Sequence, residues 1–258
     1  MSDASKIPMD DGVAIAVHRF GPALGGGLPP VVLHHGFAAD THANWVAPGV
    51  VAALVDAGRA VVSVDARGHG ASDKPHEATF YGEGRMARDL SAVFDWLEVP
   101  QVDLAGYSMG AIVSLITAAA DPRIRRMVIG GIGGSVVDVG GVARAVDRSA
   151  LVAALRADDP STIVDRTAKQ FRRFADSTGA DRLALAAQAE SILRSPIALS
   201  SINAPTRLVV GDTDALATRP ERLVDAIPDA ELVVVPGDHL GAVAAPGFAP
   251  AIVEFLAG

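Results

Sequence analysis

Gly106-Tyr107-Ser108-Met109-Gly110 is the stretch that decides how this chain is read. Gln101-Val102-Asp103-Leu104-Ala105 before it has the short apolar run of a buried strand, and the apolar segment 111–120 after it predicts a helix. A serine on so sharp a strand-to-helix turn is held in strained backbone geometry with its hydroxyl presented outward. The flanking glycines let neighbouring backbone come close enough to make that turn. The helix that follows points free N–H groups and the positive end of its dipole at any anion formed there. Acyl chemistry on a serine needs this combination, but the same five residues also suit a plain turn, so the rest of the chain has to decide.

Working outward, the pattern alternates. Short Val/Leu/Ile runs predict strands over 13–20, 31–34, 60–65, 101–105, 124–130, 206–210 and 231–235, and helices are predicted over 45–57, 81–97, 111–120 and 246–256. Met86, Leu90, Val93, Phe94 and Leu97 form one stripe of the second of these helices. The glycine-rich segment 21–30 lacks the Gly-Lys-Ser/Thr ending of a phosphate loop and reads as a connector. Buried strands alternating with helices imply an α/β fold whose mostly parallel central sheet is covered on both faces. The alternation breaks between 133 and 200, where only helical patterns over 142–157, 160–175 and 181–193 are found. The expected organisation is a core of 1–132 and 201–258 with an inserted α-helical cap, 133–200, over the C-terminal edge of the sheet.

Composition bounds the partners. The chain has 258 residues, 50% of them hydrophobic, which suits one α/β domain with an insertion. A net charge of −8 gives no footprint for nucleic acid or an anionic membrane surface. With no cysteine there are no disulfides, no thiolate metal sites and no cysteine nucleophile. Asp3, Lys6, Asp10 and Asp11 interrupt any apolar leader, and no apolar stretch is long enough to span a bilayer. The expectation is a cytoplasmic protein acting on a small molecule without metal or cofactor; an exposed sheet edge or apolar cap surface leaves a homodimer open.

A serine hydroxyl needs a base within hydrogen-bond reach and an acid to orient that base. Asp212 and Asp214 follow the strand ending at Val210, and His239 follows the strand ending at Val235. The order Ser, Asp, His, each just past a strand, is that of the α/β-hydrolase architecture. The chain resembles the α/β-hydrolase superfamily over nearly its whole length, on four motifs, of which the Gly106–Gly110 nucleophile elbow is one. His34-His35-Gly36-Phe37 is similar to the family's oxyanion turn, and Asp65-Ala66-Arg67-Gly68-His69-Gly70-Ala71-Ser72 to its Asp-x-Arg-Gly-x-Gly-x-Ser loop. The Gly211–Asp214 loop and the late His239 complete the set.

The resemblance implies Ser108 as nucleophile, His239 as general base and then acid, and Asp214 as the orienting carboxylate, with Asp212 as the alternative. It implies an oxyanion hole from the backbone N–H groups of Phe37 and Met109. Residues 130–134 offer no carboxylate for members that carry the acid after the preceding strand. Serine at 108 excludes the aspartate-nucleophile dehalogenases and epoxide hydrolases of this fold. The implied reaction is hydrolysis of a small carboxylic ester or lactone through an acyl-enzyme. Carbon–carbon bond hydrolases, cofactor-free haloperoxidases or perhydrolases, acyltransferases and triad-bearing receptors with little turnover share the same motifs.

The remaining residues have plainer readings. His34 and His35 are expected to be structural, Arg67 and His69 to pin their loop, and Asp238 to serve its own turn. His18, His42 and His76 are expected at the surface, and Trp45 and Trp96 in the core. Lys169, Arg172 and Arg173 are expected on a solvated face of a cap helix, with binding of an anionic substrate as the alternative. With aromatics at 5% of residues, a pocket lined mainly by Ala, Val, Leu and Met is expected, suited to a small or aliphatic acyl group.

Overall fold

The computed structural model describes residues 4–139, 147–191 and 195–258. Eight strands form one sheet: β1 (Ser5–Pro8), β2 (Ala14–Phe20), β3 (Val31–His34), β4 (Val61–Asp65), β5 (Val102–Tyr107), β6 (Ile124–Gly130), β7 (Thr206–Gly211) and β8 (Ala230–Val235). Their order across the sheet is β1-β2-β4-β3-β5-β6-β7-β8. β1 and β2 pair antiparallel at one edge, and the six strands from β4 to β8 run parallel. This is the mostly parallel α/β sheet that the sequence implied.

The strands read as unbroken apolar runs because both of their faces are covered. Successive side chains alternate between two cores. Val32, Val102 and Leu104 enter one core; Val31, Leu33, Ala105 and Tyr107 enter the other. The first core is closed by α2 (Glu83–Leu97) and α3 (Met109–Ala118), the second by α1 (Val50–Asp56) and α9 (Phe248–Ala257). The predicted stripe of α2, Met86 to Leu97, is buried in the first core.

Between β6 and β7 lie α4 (Ser135–Val139), α5 (Arg148–Arg156), α6 (Arg166–Thr178) and α7 (Arg182–Glu190), and α8 (Glu221–Ala226) precedes β8. Asp147, Asp165 and Asp181 cap α5, α6 and α7, each side chain accepting from a first-turn N–H. Leu151, Leu155, Ala175, Leu185, Ala186 and Ala189 of these helices share a small core with Ala38 of the β3 loop.

Several boundaries differ from expectation. The helix predicted over 45–57 is two pieces, a π-helical His42–Val46 and α1, because Gly49 turns left-handed (φ 84°) after Pro48. The helix predicted over 160–175 begins only at Arg166; Pro160–Thr162 is a lone 3-10 turn closed by Asp159. Of the segments predicted over 142–157 and 181–193, residues 142–146 and 192–193 lie outside the described residues. β1, α4 and α8 are too short to carry a periodic signal. Trp45 is core, but Trp96 is half-buried, its ring stacked under the Arg19 guanidinium.

Candidate active site

Ser108 sits between β5 and α3 at φ 53°, ψ −114°, a conformation that non-glycine residues avoid. Three contacts hold it there. Its N–H donates to the Gly130 carbonyl of β6 at 2.8 Å. A Cβ on Gly106 would lie 2.4 Å from the Gly110 carbonyl oxygen, and one on Gly110 would lie 2.0 Å from the His34 carbonyl oxygen. Only glycine fits either place, so the turn is closed by both flanking residues.

The loops after β7 and β8 complete the arrangement. His239 Nε2 lies 3.0 Å from Ser108 Oγ, and His239 Nδ1 lies 2.9 Å from Asp214 Oδ2. The carboxylate accepts from Nδ1–H, which leaves Nε2 free to accept from the serine hydroxyl. Asp214 is buried, and its other oxygen accepts from the Leu216 N–H at 2.8 Å. Asp212 is exposed and accepts from the Gly237 N–H at 2.9 Å, so it ties the acid loop to the histidine loop. Between the two aspartates, Asp214 is the one that meets His239. Asp238 accepts from the N–H groups of Leu240 and Gly241, as a turn residue does. Tyr107 donates its hydroxyl to the His239 carbonyl at 2.8 Å and fixes the histidine backbone, a contact that its place in the Gly106–Gly110 motif does not signal.

Gly36 runs so close to the serine that an added Cβ would lie 3.3 Å from Ser108 Cβ, which brings the Phe37 turn beside the hydroxyl. Neither the Phe37 nor the Met109 N–H meets an acceptor among the described residues. The turn is braced by neutral histidines. His35 Nε2 accepts from the Ala66 N–H and His69 Nε2 from the Ala38 N–H. Burial pushes His34 and His69 down to about 3 and lowers His35 in the same sense. Arg67 is fully buried, forked on Asp89 with a further bond to Asp11, so it pins its loop as expected.

Three expectations about side chains fail. His18 is half-buried, bonded to Asp65 at 2.9 Å, and raised by that bond. Arg172 is buried, its guanidinium meeting the Ala154 and Ala157 carbonyls at the end of α5. The pocket is not aliphatic. A cavity of about 660 Å³ beside His239 is lined by Phe171, Phe174, Arg166 and Arg173 of α6, facing Leu216 and Leu240. A second hollow of about 70 Å³ continues to Ser108 between Gly36, Phe37, Asn44 and Tyr107. Phe171, Phe174, His239 and Leu240 border both. The chain is poor in aromatics overall but concentrates them here.

Asn44 is a further residue that no sequence signal indicated. Its Oδ1 accepts from the Gly36 N–H at 2.8 Å. Among the described residues, no group of three or more His, Asp or Glu is placed to hold a metal ion, and no helix is long and apolar enough to cross a membrane.

A family model described as alpha/beta hydrolase fold matches residues 29–134. The structure superposes on a hydrolase from Pseudomonas aeruginosa PA01 with TM-score 0.80, 26% identity and 99% of both chains covered. It superposes equally well, TM-score 0.80, on the enol-lactonase from Burkholderia xenovorans LB400, at 22% identity over 98% of this chain and 100% of that one. In sequence it is 30% identical over 227 residues to the dihydrolipoyllysine-residue acetyltransferase component of the acetoin cleaving system of Pseudomonas putida, covering 83% of this chain and 59% of that protein. The chain spans 59, 43 and 38% of the lengths of the first three curated relatives it matches. With the sheet order, the strand-to-helix serine and these likenesses together, the chain belongs to the α/β-hydrolase superfamily.

Proposed function

We propose that this protein is a serine hydrolase that cleaves a small carboxylic ester or lactone through an acyl-enzyme on Ser108, with 133–200 as a helical cap over the site. The observation that carries this reading is the unbroken hydrogen-bond line from Asp214 through His239 to Ser108 Oγ, with legs of 2.9 and 3.0 Å. Asp214 holds the imidazole in the tautomer whose Nε2 accepts the serine proton as Oγ attacks the carbonyl carbon. The resulting oxyanion accepts from the Phe37 and Met109 N–H groups; donors of this kind contribute roughly 2.7–4 kcal/mol each to the transition state. The imidazolium then gives its proton to the departing alcohol oxygen. Water deprotonated by the same nitrogen attacks the acyl carbon, releases the acid and restores Ser108.

Hydrolysis of p-nitrophenyl acetate and butyrate by the wild type and by Ser108→Ala tests the reading. Wild-type turnover should fall at least about 10³-fold in the variant, which keeps its Cβ and its fold. Full esterase activity in Ser108→Ala would remove the assignment.

A further inference from the structure

We propose that the substrate carries a negatively charged group, received by Arg166 and Arg173 on the wall of the larger cavity. This rests on the reading above only in taking the cavity as the substrate site. Arg166, Gln170, Arg173 and Ser177 recur at helical spacing, and all four line the cavity, so one face of α6 is turned to it. The buried residues Ala168, Arg172 and Ala175 hold the opposite side of the helix against its neighbours. Ten of the described arginines meet carboxylates, Arg59, Arg67 and Arg172 among them. Arg166 and Arg173 are among the seven described arginines that meet none, and are the two of those seven that line the cavity.

Arg166 is the first residue of α6, directly after its Asp165 cap, just as Arg148 and Arg182 follow the caps of α5 and α7. Of these three, Arg166 is the one that lines the cavity. The carboxylate among the lining residues, Asp238 of the facing loop, is engaged by the N–H groups of Leu240 and Gly241. An anionic end facing α6 leaves the other end of the molecule to reach past Phe171 and Phe174 into the hollow at Ser108.

The test compares p-nitrophenyl hexanoate with the mono-p-nitrophenyl ester of adipate, the same chain length ending in a carboxylate. Wild type should favour the charged ester in kcat/KM, and added salt should shrink that preference. In the Arg166→Gln/Arg173→Gln double variant the charged-to-neutral ratio should fall roughly two- to thirtyfold, the range for two exposed ion pairs. An unchanged ratio overturns the proposal while leaving the hydrolase reading intact. Calorimetric titration of the Ser108→Ala protein with adipate and with hexanoate separates the two further. If no ester is turned over, tighter binding of adipate that is lost in an Arg166→Gln/Arg173→Gln background still supports the subsite. Equal binding of the two acids overturns it.

An independent observation assigns Asn44 as a positioning residue in the inner hollow. It is 5% exposed, and the Gly36 N–H fixes which end of its amide is the oxygen. Its Nδ2 is therefore directed away from that bond, buried, and without a partner among the described residues. An orphan donor of this sort calls for an explanation. Asn44, Ser108 and His239 line the same hollow, so Nδ2 is available to an acceptor atom on the substrate beside the reacting carbonyl. Asn44→Asp keeps an oxygen for the Gly36 N–H and removes the donor. With p-nitrophenyl methoxyacetate and the isosteric butyrate, which differ by one ether oxygen, the variant should lose kcat/KM selectively on methoxyacetate. Equal losses on both esters, or none, would mean that Asn44 serves only Gly36.

Discussion

At the scale of single residues, the site depends on which of two neighbouring carboxylates meets the histidine. Asp214 is buried against His239 Nδ1, whereas Asp212 is exposed and holds the Gly237 N–H. Asp214→Asn should therefore cost far more kcat than Asp212→Asn, whose effect should be confined to a small loss of stability. Steady-state kinetics on p-nitrophenyl butyrate with both variants checks this, and the reverse ranking would move the acid. Ser108, Asp214, His239 and the Phe37 turn could be found from sequence because each follows a strand in a recognisable short motif. Asn44, Tyr107 and the two phenylalanines of α6 could not, since their roles come from contacts across 8 to 132 residues of chain. Arg172 shows the same limit: a cation in a polar helical stretch looks solvated until a neighbouring helix end supplies carbonyls for it.

At the scale of elements, the turn between β5 and α3 and the start of α6 matter most. A Cβ on Gly110 would collide with the His34 carbonyl, so Gly110→Ala must push β3 and α3 apart. A loss of stability of about 1–3 kcal/mol, with a larger loss of activity, should appear in urea unfolding and in ester turnover. A variant as stable and active as wild type would mean that the turn tolerates relaxation. Asp165 caps α6 by accepting from the Ala168 N–H at 2.7 Å. Asp165→Ala should cost about 1 kcal/mol of stability. Because α6 forms a wall of the cavity, KM should also rise more than kcat falls. Two aspartates precede helical segments in this stretch, Asp159 before Pro160 and Asp165 before Arg166. Both are used, the first by a 3-10 turn and the second by α6, and propensity alone does not rank them.

At the scale of the whole molecule, the sheet and its two cores were legible because buried parallel strands are apolar throughout, while the pocket was not, because overall composition says little about where a few aromatics gather. The same burial gives the fold its response to acid. His34, His35 and His69 stay neutral when folded, two of them down to about 3, whereas in the unfolded chain each takes a proton near its ordinary value of about 6.5. The unfolded state thus binds more protons as pH falls through that window, and each histidine lowers stability by up to about 1.4 kcal/mol per pH unit. His18 acts in the other direction, since its raised value favours the folded state in acid and that contribution is lost as pH rises. Three against one predicts a Tm that drops from about pH 7 to pH 4, with a shallower slope in His69→Gln; equal slopes would show that His69 does not remain neutral. The central claim, that Ser108 is an activated nucleophile, is tested most directly by intact-mass analysis after fluorophosphonate treatment of the wild type beside Ser108→Ala. The account predicts one adduct per chain on the wild type and none on the variant. No adduct on folded wild-type protein, or the same adduct on the variant, would contradict it.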